Sequence, residues 1–373
     1  MKTIPYAFLL LISFNVFAAG PESIAMSNRS LWPDPIKSPA GFDRASRAEI
    51  LVFANALQDI GGQSEEDFKS TTRLKAVDMQ SVARIRDRLL DTALANYMIA
   101  SQSCTANEIL CGAIHSRIDL ISTGQSLLNT LPTRYKAWHD DASVFHKRYA
   151  AELLRLAALF PRITSEIDTF SSNERNGFEL PDRHFQLTFD DGPSNAKGNS
   201  DTTLAVLKQQ RLHALFFVLG ERLQSRLQNE DAAALKQMYQ GQCIALHGWK
   251  HVSHQHWDQW QQSVTDTQSL VKKTFGDLYR PYFRPPYGQR TADSASFFNA
   301  NNLTVTLWNI DSQDWNAKVT ADEAANRVMT LMLLWRRGLI LFHDIHTKAQ
   351  TAVPWLMTQT ESAGITWDDC RHY

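Results

Sequence analysis

Between Asp43 and Phe170 apolar residues recur at spacings of three and four, as in Ile50, Phe53, Ala54 and Leu57, in Val82, Ile85, Leu89 and Leu90, and in Phe145, Tyr149, Leu153 and Leu154. Each run makes one apolar stripe along a helix, with charged residues between the stripes. Breaks near Gly61-Gly62, between Cys104 and Cys111, and at Leu131-Pro132 divide the stretch into about four helices. Ser, Asn, Gly and Pro then cluster between Ser171 and Pro181, and the pattern changes. Short apolar runs come next, at 185–189, 214–219, 243–246, 282–284, 304–308, 339–342 and 365–367, separated by helical stretches such as 204–209, 231–239 and 323–335. Strand, helix and strand in regular succession predict a parallel sheet. About seven parallel strands predict an α/β fold, a distorted (β/α) barrel preceded by an all-α helical bundle. The expected boundary falls at 175/176.

Polar clusters stand just past the ends of these strands. The run 185–189 delivers Asp190 and Asp191 to a Gly192-Pro193 turn, 243–246 leads into His247-Gly248-Trp249-Lys250-His251, and 282–284 ends at Arg284-Pro285-Pro286-Tyr287-Gly288. Further on come Asp311-Ser312-Gln313-Asp314-Trp315 and, after 339–342, His343-Asp344. In a barrel the C-terminal strand ends share one face, so the five clusters meet in one pocket. His247 and His251 can close on one ion, and Asp191 completes a set of two nitrogens and one oxygen. That set leaves positions open for water and substrate, as a catalytic zinc site requires. Taken singly, each cluster also fits an ordinary turn or surface histidines, Arg284 a surface guanidinium and Asp314 a helix N-cap. A metalloprotease helix with two His at i and i+4 carries Glu after the first; Gly248 there excludes that reading.

With these pieces in order the chain resembles the polysaccharide deacetylases, the carbohydrate esterase family that includes chitin and peptidoglycan deacetylases. The matching motifs are TFDDGP at 188–193, HxxxH at 247–251, RPPYG at 284–288, DxxDW at 311–315 and LxH at 341–343. They span roughly the second half of the chain. The chain departs from the family at Gly248, where Ser or Thr usually follows the first motif histidine and braces the loop.

The resemblance implies a metal-dependent hydrolase acting on linear amide C–N bonds, removing N-acetyl groups from a glycan such as peptidoglycan or a chitin-like oligomer. Asp191, His247 and His251 are then the metal ligands, for one divalent ion, zinc first with cobalt or nickel as alternatives. Asp190 is the general base and Arg284 its ion-pair partner. His343 is the general acid, kept protonated by Asp314. By the same analogy the backbone N–H of Tyr287 is an oxyanion donor, and Trp315 and Leu341 wall the acetyl slot. An O-deacetylase of acetyl xylan type and a non-catalytic carbohydrate-binding protein are the alternatives. His254, His256 and His346 are left outside the site. Trp249, Trp257, Trp260 and Trp308 could stack on sugars, although Trp257 and Trp260 sit at helical spacing and suit packing equally well.

Composition narrows the partners. The formal net charge is −1 and no long basic stretch occurs, so nucleic-acid binding has no support. Residues 1–18 read as an export signal: Lys2, an apolar stretch from Tyr6 to Phe17, and a small-residue cleavage site before Ala19. Ser13 and Asn15 interrupt a stretch already short for a membrane span, with an uncleaved anchor as the alternative. The expected protein is exported, periplasmic or secreted, touching a membrane only through that segment. Four cysteines then suggest disulfides, with proximity favouring Cys104 with Cys111 and leaving Cys243 with Cys370. Buried free thiols are the alternative for the second pair. The helical half carries no legible chemistry, and no partner for it can be named.

Overall fold

The computed structural model describes residues 23–105 and 108–372, so the expected signal segment lies outside the described residues. Among the described residues five helices form the first half: α1 (Pro39–Gly61), α2 (Glu65–Thr72), α3 (Met79–Ala100), α4 (Arg117–Thr130) and α5 (Lys136–Leu159). Ser38, Ser64, Asp78 and Ser116 cap the first four through side-chain oxygens that accept backbone N–H bonds. The extra helix relative to the expected four is α2, whose sequence EEDFKSTT offers Phe68 as its one buried apolar side chain. One turn of apolar pattern is too little to read as a period. α1 is central and packs on α3, α4 and α5. A Cβ on Gly124 of α4 would come within 2.3 Å of the Leu51 carbonyl oxygen, so glycine sets how closely α4 approaches α1.

The second half is built on nine strands: β1 (Glu174–Arg175), β2 (His184–Asp190), β3 (Leu215–Val218), β4 (Cys243–Leu246), β5 (Tyr279–Phe283), β6 (Thr304–Thr306), β7 (Ile310–Asp311), β8 (Gly338–His343) and β9 (Thr366–Trp367). The seven predicted strands are all present, and the two-residue strands β1 and β7 are added to them. Every pairing is parallel, and the sheet runs β1-β6-β5-β4-β3-β2-β8-β7, with β9 paired to the start of β2. The path ends at β1 on one side and β7 on the other, which makes the barrel incomplete. Helices α6 (Asn199–Gln210), α7 (Gly220–Leu227), α8 (Ala232–Met238), α9 (Trp260–Phe275), α10 (Ala295–Ala300), α11 (Ala321–Trp335) and α12 (Lys348–Thr360) connect the strands.

The two halves share one hydrophobic core. α11 is buried from Ala324 to Trp335 except at Asn326, because it lies between the sheet and the helical half, touching α1 and α3 on one side and β7 and β8 on the other. Both expected disulfides are formed, Cys104–Cys111 and Cys243–Cys370. Among the described residues no helix is long and apolar enough to cross a membrane.

Candidate active site

The strand register explains why distant residues meet. Asp190 ends β2 opposite His343 of β8 on one side and Phe217 of β3 on the other. Leu246 of β4 lies opposite Val218 and Phe283, so His247 and Arg284 emerge at the same rim, and Asp311 of β7 faces Leu341. Parallel strands in this register put all five polar clusters at the C-terminal edge. Three motif residues that are not glycine hold left-handed backbone there: Asp191 (φ 74), Tyr287 (φ 60) and Gln313 (φ 58). Each costs roughly 1–3 kcal/mol, and such strain collects where side-chain aim matters more than stability.

Asp191, His247 and His251 each offer a ligand atom, and the three atoms lie within 4.8 Å of one another. Asp191 Oδ1 is 3.4 Å from His247 Nε2 and 3.5 Å from His251 Nε2, buried, and among the described residues without a hydrogen-bond donor. A buried carboxylate oxygen with no donor and two imidazole nitrogens aimed at it suits a shared cation. Burial alone would raise the Asp191 carboxyl; His247, His343 and His251 together hold it far below the carboxylate range. Burial pushes His251 down to about 4, which leaves its imidazole neutral and able to ligate. His247 Nδ1 lies 2.7 Å from the Arg284 carbonyl oxygen. That oxygen only accepts, so the proton sits on Nδ1 and the Nε2 lone pair faces Asp191. The donor set therefore fits a divalent metal ion.

Arg284 is wholly buried. Its Nη1 donates to Asp190 Oδ1 and Thr188 Oγ1, both at 2.8 Å, while Nε and Nη2 donate to the carbonyls of Thr306 and Leu307 at 2.9 and 2.8 Å. The guanidinium also lies over the Phe217 ring, 4.1 Å from its centroid. Arg284 thus anchors Asp190 beside Asp191, His247 and His251, with Asp190 Oδ2 3.7 Å from His247 Nε2. Asp314 is also wholly buried; its Oδ1 accepts from His343 Nδ1 at 2.7 Å and its Oδ2 from the His343 backbone N–H at 2.9 Å. Burial opposes a charged imidazole, yet the carboxylates of Asp314, Asp191 and Asp190 prevail and raise His343 to about 10.

One cavity of about 290 Å³ is lined by Asp190, Asp191, His247, His251 and His343 together with Tyr287, Trp315 and Leu341. Tyr287 and Trp315 are half exposed at its mouth, and the Tyr287 ring meets His251 edge to face at 4.4 Å. Leu341 is buried in its wall. Trp308 also lines it, whereas Trp260 packs on Phe297 and Phe298 and Trp257 against His254.

Three features were not legible in the sequence. His254, left outside the site, fills the space beside Gly248: a Cβ there would lie 2.6 Å from the imidazole, and the backbone is left-handed (φ 84). Ser263 accepts from Trp249 N at 2.7 Å and contacts His254 at 3.2 Å, so this pair braces the loop. Gly192 likewise lets Asp344 approach, since a Cβ would sit 2.3 Å from its Oδ2. Finally, the helical half reaches the cavity through α3 and α5, a long-range placement that no local pattern encodes.

Residues 179–307 match the family model described as Polysaccharide deacetylase. The chain is 31% identical over 184 residues to peptidoglycan-N-acetylmuramic acid deacetylase PdaC of Bacillus subtilis, covering 48% of this chain and 36% of that protein. It is 32% identical over 173 residues to chitin deacetylase 1 of Saccharomyces cerevisiae, covering 42% and 50%. It is 28% identical over 187 residues to a bifunctional xylanase/xylan deacetylase of Cellvibrio japonicus, covering 48% and 26%. The chain thus spans between a quarter and a half of the length of these relatives. The stretch 179–307, with the ordered motifs, is thus similar to polysaccharide deacetylases.

Proposed function

We propose that the protein is a metal-dependent N-deacetylase of an exported glycan containing N-acetylglucosamine, peptidoglycan or a chitin-like oligomer. The observation that carries this reading is the meeting, in one cavity, of a three-donor cation site, a carboxylate held by Arg284 and an imidazole held by Asp314. A divalent ion held by Asp191, His247 and His251 would supply a Lewis acid that polarises the acetyl carbonyl and acidifies water. Asp190 takes the proton of the attacking water as the new C–O bond forms, and Arg284, 2.8 Å from its Oδ1, keeps that carboxyl group aimed. His343 gives its proton to the nitrogen as the C–N bond breaks, releasing acetate and a free amine. Tyr287 N–H supports the oxyanion, and Trp315 and Leu341 confine the methyl group.

An amide needs that acid more than an ester does, because an amine anion is the poorer leaving group; a protonated His343 therefore favours N-deacetylation. Similarity to a protein named as a xylan deacetylase keeps an O-deacetylase as the second reading. The barrel, with β1 at 174–175 included and so beginning before the expected 176, would form one architectural domain and the helices ahead of it another, the two sharing one core. The two disulfides support an exported protein whose signal segment, 1–18, is removed.

The test is acetate release from N-acetylglucosamine oligomers and from acetylated xylan, side by side, with metal content measured on the same samples. Asp190→Asn should lower turnover by about 10²–10⁴-fold, the usual worth of a general base, at unchanged metal stoichiometry. Wild-type turnover in that variant, or release from the ester alone, overturns the assignment. Glycan binding with no acetate from any substrate would make the protein a carbohydrate-binding protein.

A further inference from the structure

The cavity that holds the proposed reaction centre does not stop at the barrel. It is lined as well by Ser165, Glu166 and Ile167 ahead of β1, by Asp311 and Gln313 at and just past β7, and by Leu89 of α3 and Leu153 and Leu156 of α5. Leu153 and Leu156, three apart, present one apolar face to it. The barrel side is polar. Trp308 and Gln313 are more than nine-tenths buried, yet among the described residues the Trp308 Nε1–H and the Gln313 Oε1 have no hydrogen-bond partner. The orientation of that amide is fixed, because Gln313 Nε2 donates to Asp311 Oδ2 at 2.8 Å and leaves Oε1 turned away. Glu166 lines the same space, and burial pushes its carboxyl up to about 8, so that at neutral pH it both donates and accepts.

We propose that the helical half forms one wall of a sugar-binding subsite, which seats an N-acetylhexosamine residue next to the one being deacetylated. This rests on the deacetylase reading and extends it to substrate recognition. A pyranose has an apolar C–H face for the leucines and hydroxyls that both donate and accept, matching the indole N–H, the amide oxygen and the carboxyl. A long acyl chain, the other occupant an apolar wall suggests, would leave all three polar groups unpaired in a dry site. The wall is also held in place on both sides of Glu166. Arg290, just past the Arg284–Gly288 motif, donates to the carbonyls of Ser165 at 2.7 Å and Asp168 at 2.9 Å. The Asp168 carboxylate is paired in turn with Arg84 and Arg88 of α3. Preorganisation of this kind is what a specific site requires.

The experiment compares Leu153→Trp, which fills the space from the helical side, and Glu166→Leu with the parent chain. Binding of the N-acetylglucosamine tetramer is measured by calorimetry in the Asp190→Asn background, and steady-state kinetics with the tetramer and with p-nitrophenyl acetate in the wild-type background. Both variants should raise the tetramer Kd at least tenfold and lower the preference for tetramer over aryl acetate by a similar factor, through KM more than kcat. Circular dichroism reports folding, and if one variant does not fold the other decides. A tetramer Kd within twofold of the parent's overturns the proposal. So does faster release of hexanoate than of acetate from N-acylglucosamine oligomers with Leu153→Trp abolishing it, because the space would then be an acyl pocket. If no substrate yields acetate yet both variants lose tetramer binding, the subsite stands and the deacetylase reading falls.

Discussion

His343 has its proton held by the charges of Asp314, Asp191 and Asp190, and that environment sets a measurable property of one residue. Its folded pKa of about 10 lies above the ordinary imidazole value of 6.5. The stability this contributes is therefore fully present below pH 6.5 and is lost as pH rises through 10. Asp314 is the largest charge raising it, so Asp314→Asn should move the titration toward neutrality. Carbon-13 NMR of the imidazole in metal-free protein is the measurement, and a variant that still titrates near 10 would remove Asp314 from the account. If His343 is the acid, the alkaline limb of the pH–rate profile should also move to lower pH in this variant. The residues of this site were legible because each stands at a strand end beside a turn, where Asp190-Asp191-Gly192 or His343-Asp344 cannot be mistaken for core. The unpaired Nε1–H of Trp308, a ring named only for stacking, and the unpaired Oε1 of Gln313 were not, because such an atom becomes visible only when everything around it is placed.

At the scale of elements, the connection from β4 to α9 combines a glycine backbone with an imidazole brace. The left-handed backbone at Gly248 and the His254 ring, 2.6 Å from any Cβ added there, both disfavour a side chain. Gly248→Ser, although it restores the residue usual in the family, should therefore destabilise the protein. The backbone alone accounts for about 1–2 kcal/mol. Thermal unfolding should show a lower Tm for the single variant. Adding His254→Ala should cost less in the Gly248→Ser background than in wild type, because the clash is gone and only the backbone strain remains. Additive effects would mean that the ring does not press on this position. A shortage of pattern likewise explains the elements that the sequence left hidden. α2 buries a single aromatic and β1 and β7 are two residues long, too short for any period to register, whereas β2 and β8, with six or seven residues and nearly continuous burial, read clearly.

Across the whole molecule, the change of period near 175 marks two architectures but not two independent units. Trp335, at the end of α11, packs edge to face on Phe53 of α1 and Phe178 and donates through Nε1 to the Tyr149 hydroxyl at 2.9 Å. Asn96 of α3 donates to the Trp335 carbonyl at 3.1 Å, and Ser46 of α1 to that of Leu333 at 2.7 Å. Two buried ion pairs cross the same interface, Arg327 with Glu152 at 2.7 Å and Arg336 with Asp43 at 2.9 Å. Separating the halves would expose the apolar faces and take Glu152 and Asp43 from their arginines, at a cost of several kcal/mol for the Arg327–Glu152 pair, whereas Arg336 keeps Asp182 at 2.8 Å. Unfolding of one half should therefore take the other with it. Differential scanning calorimetry of the full chain should give one transition, with calorimetric and van't Hoff enthalpies in agreement. Trp335→Ala, which removes about 3–5 kcal/mol of buried contact, should move that transition down without dividing it. Two resolved transitions, with only one responding to Trp335→Ala, would mean that the helices and the barrel fold separately. The shared cavity wall would then rest on docking between domains rather than on a single core.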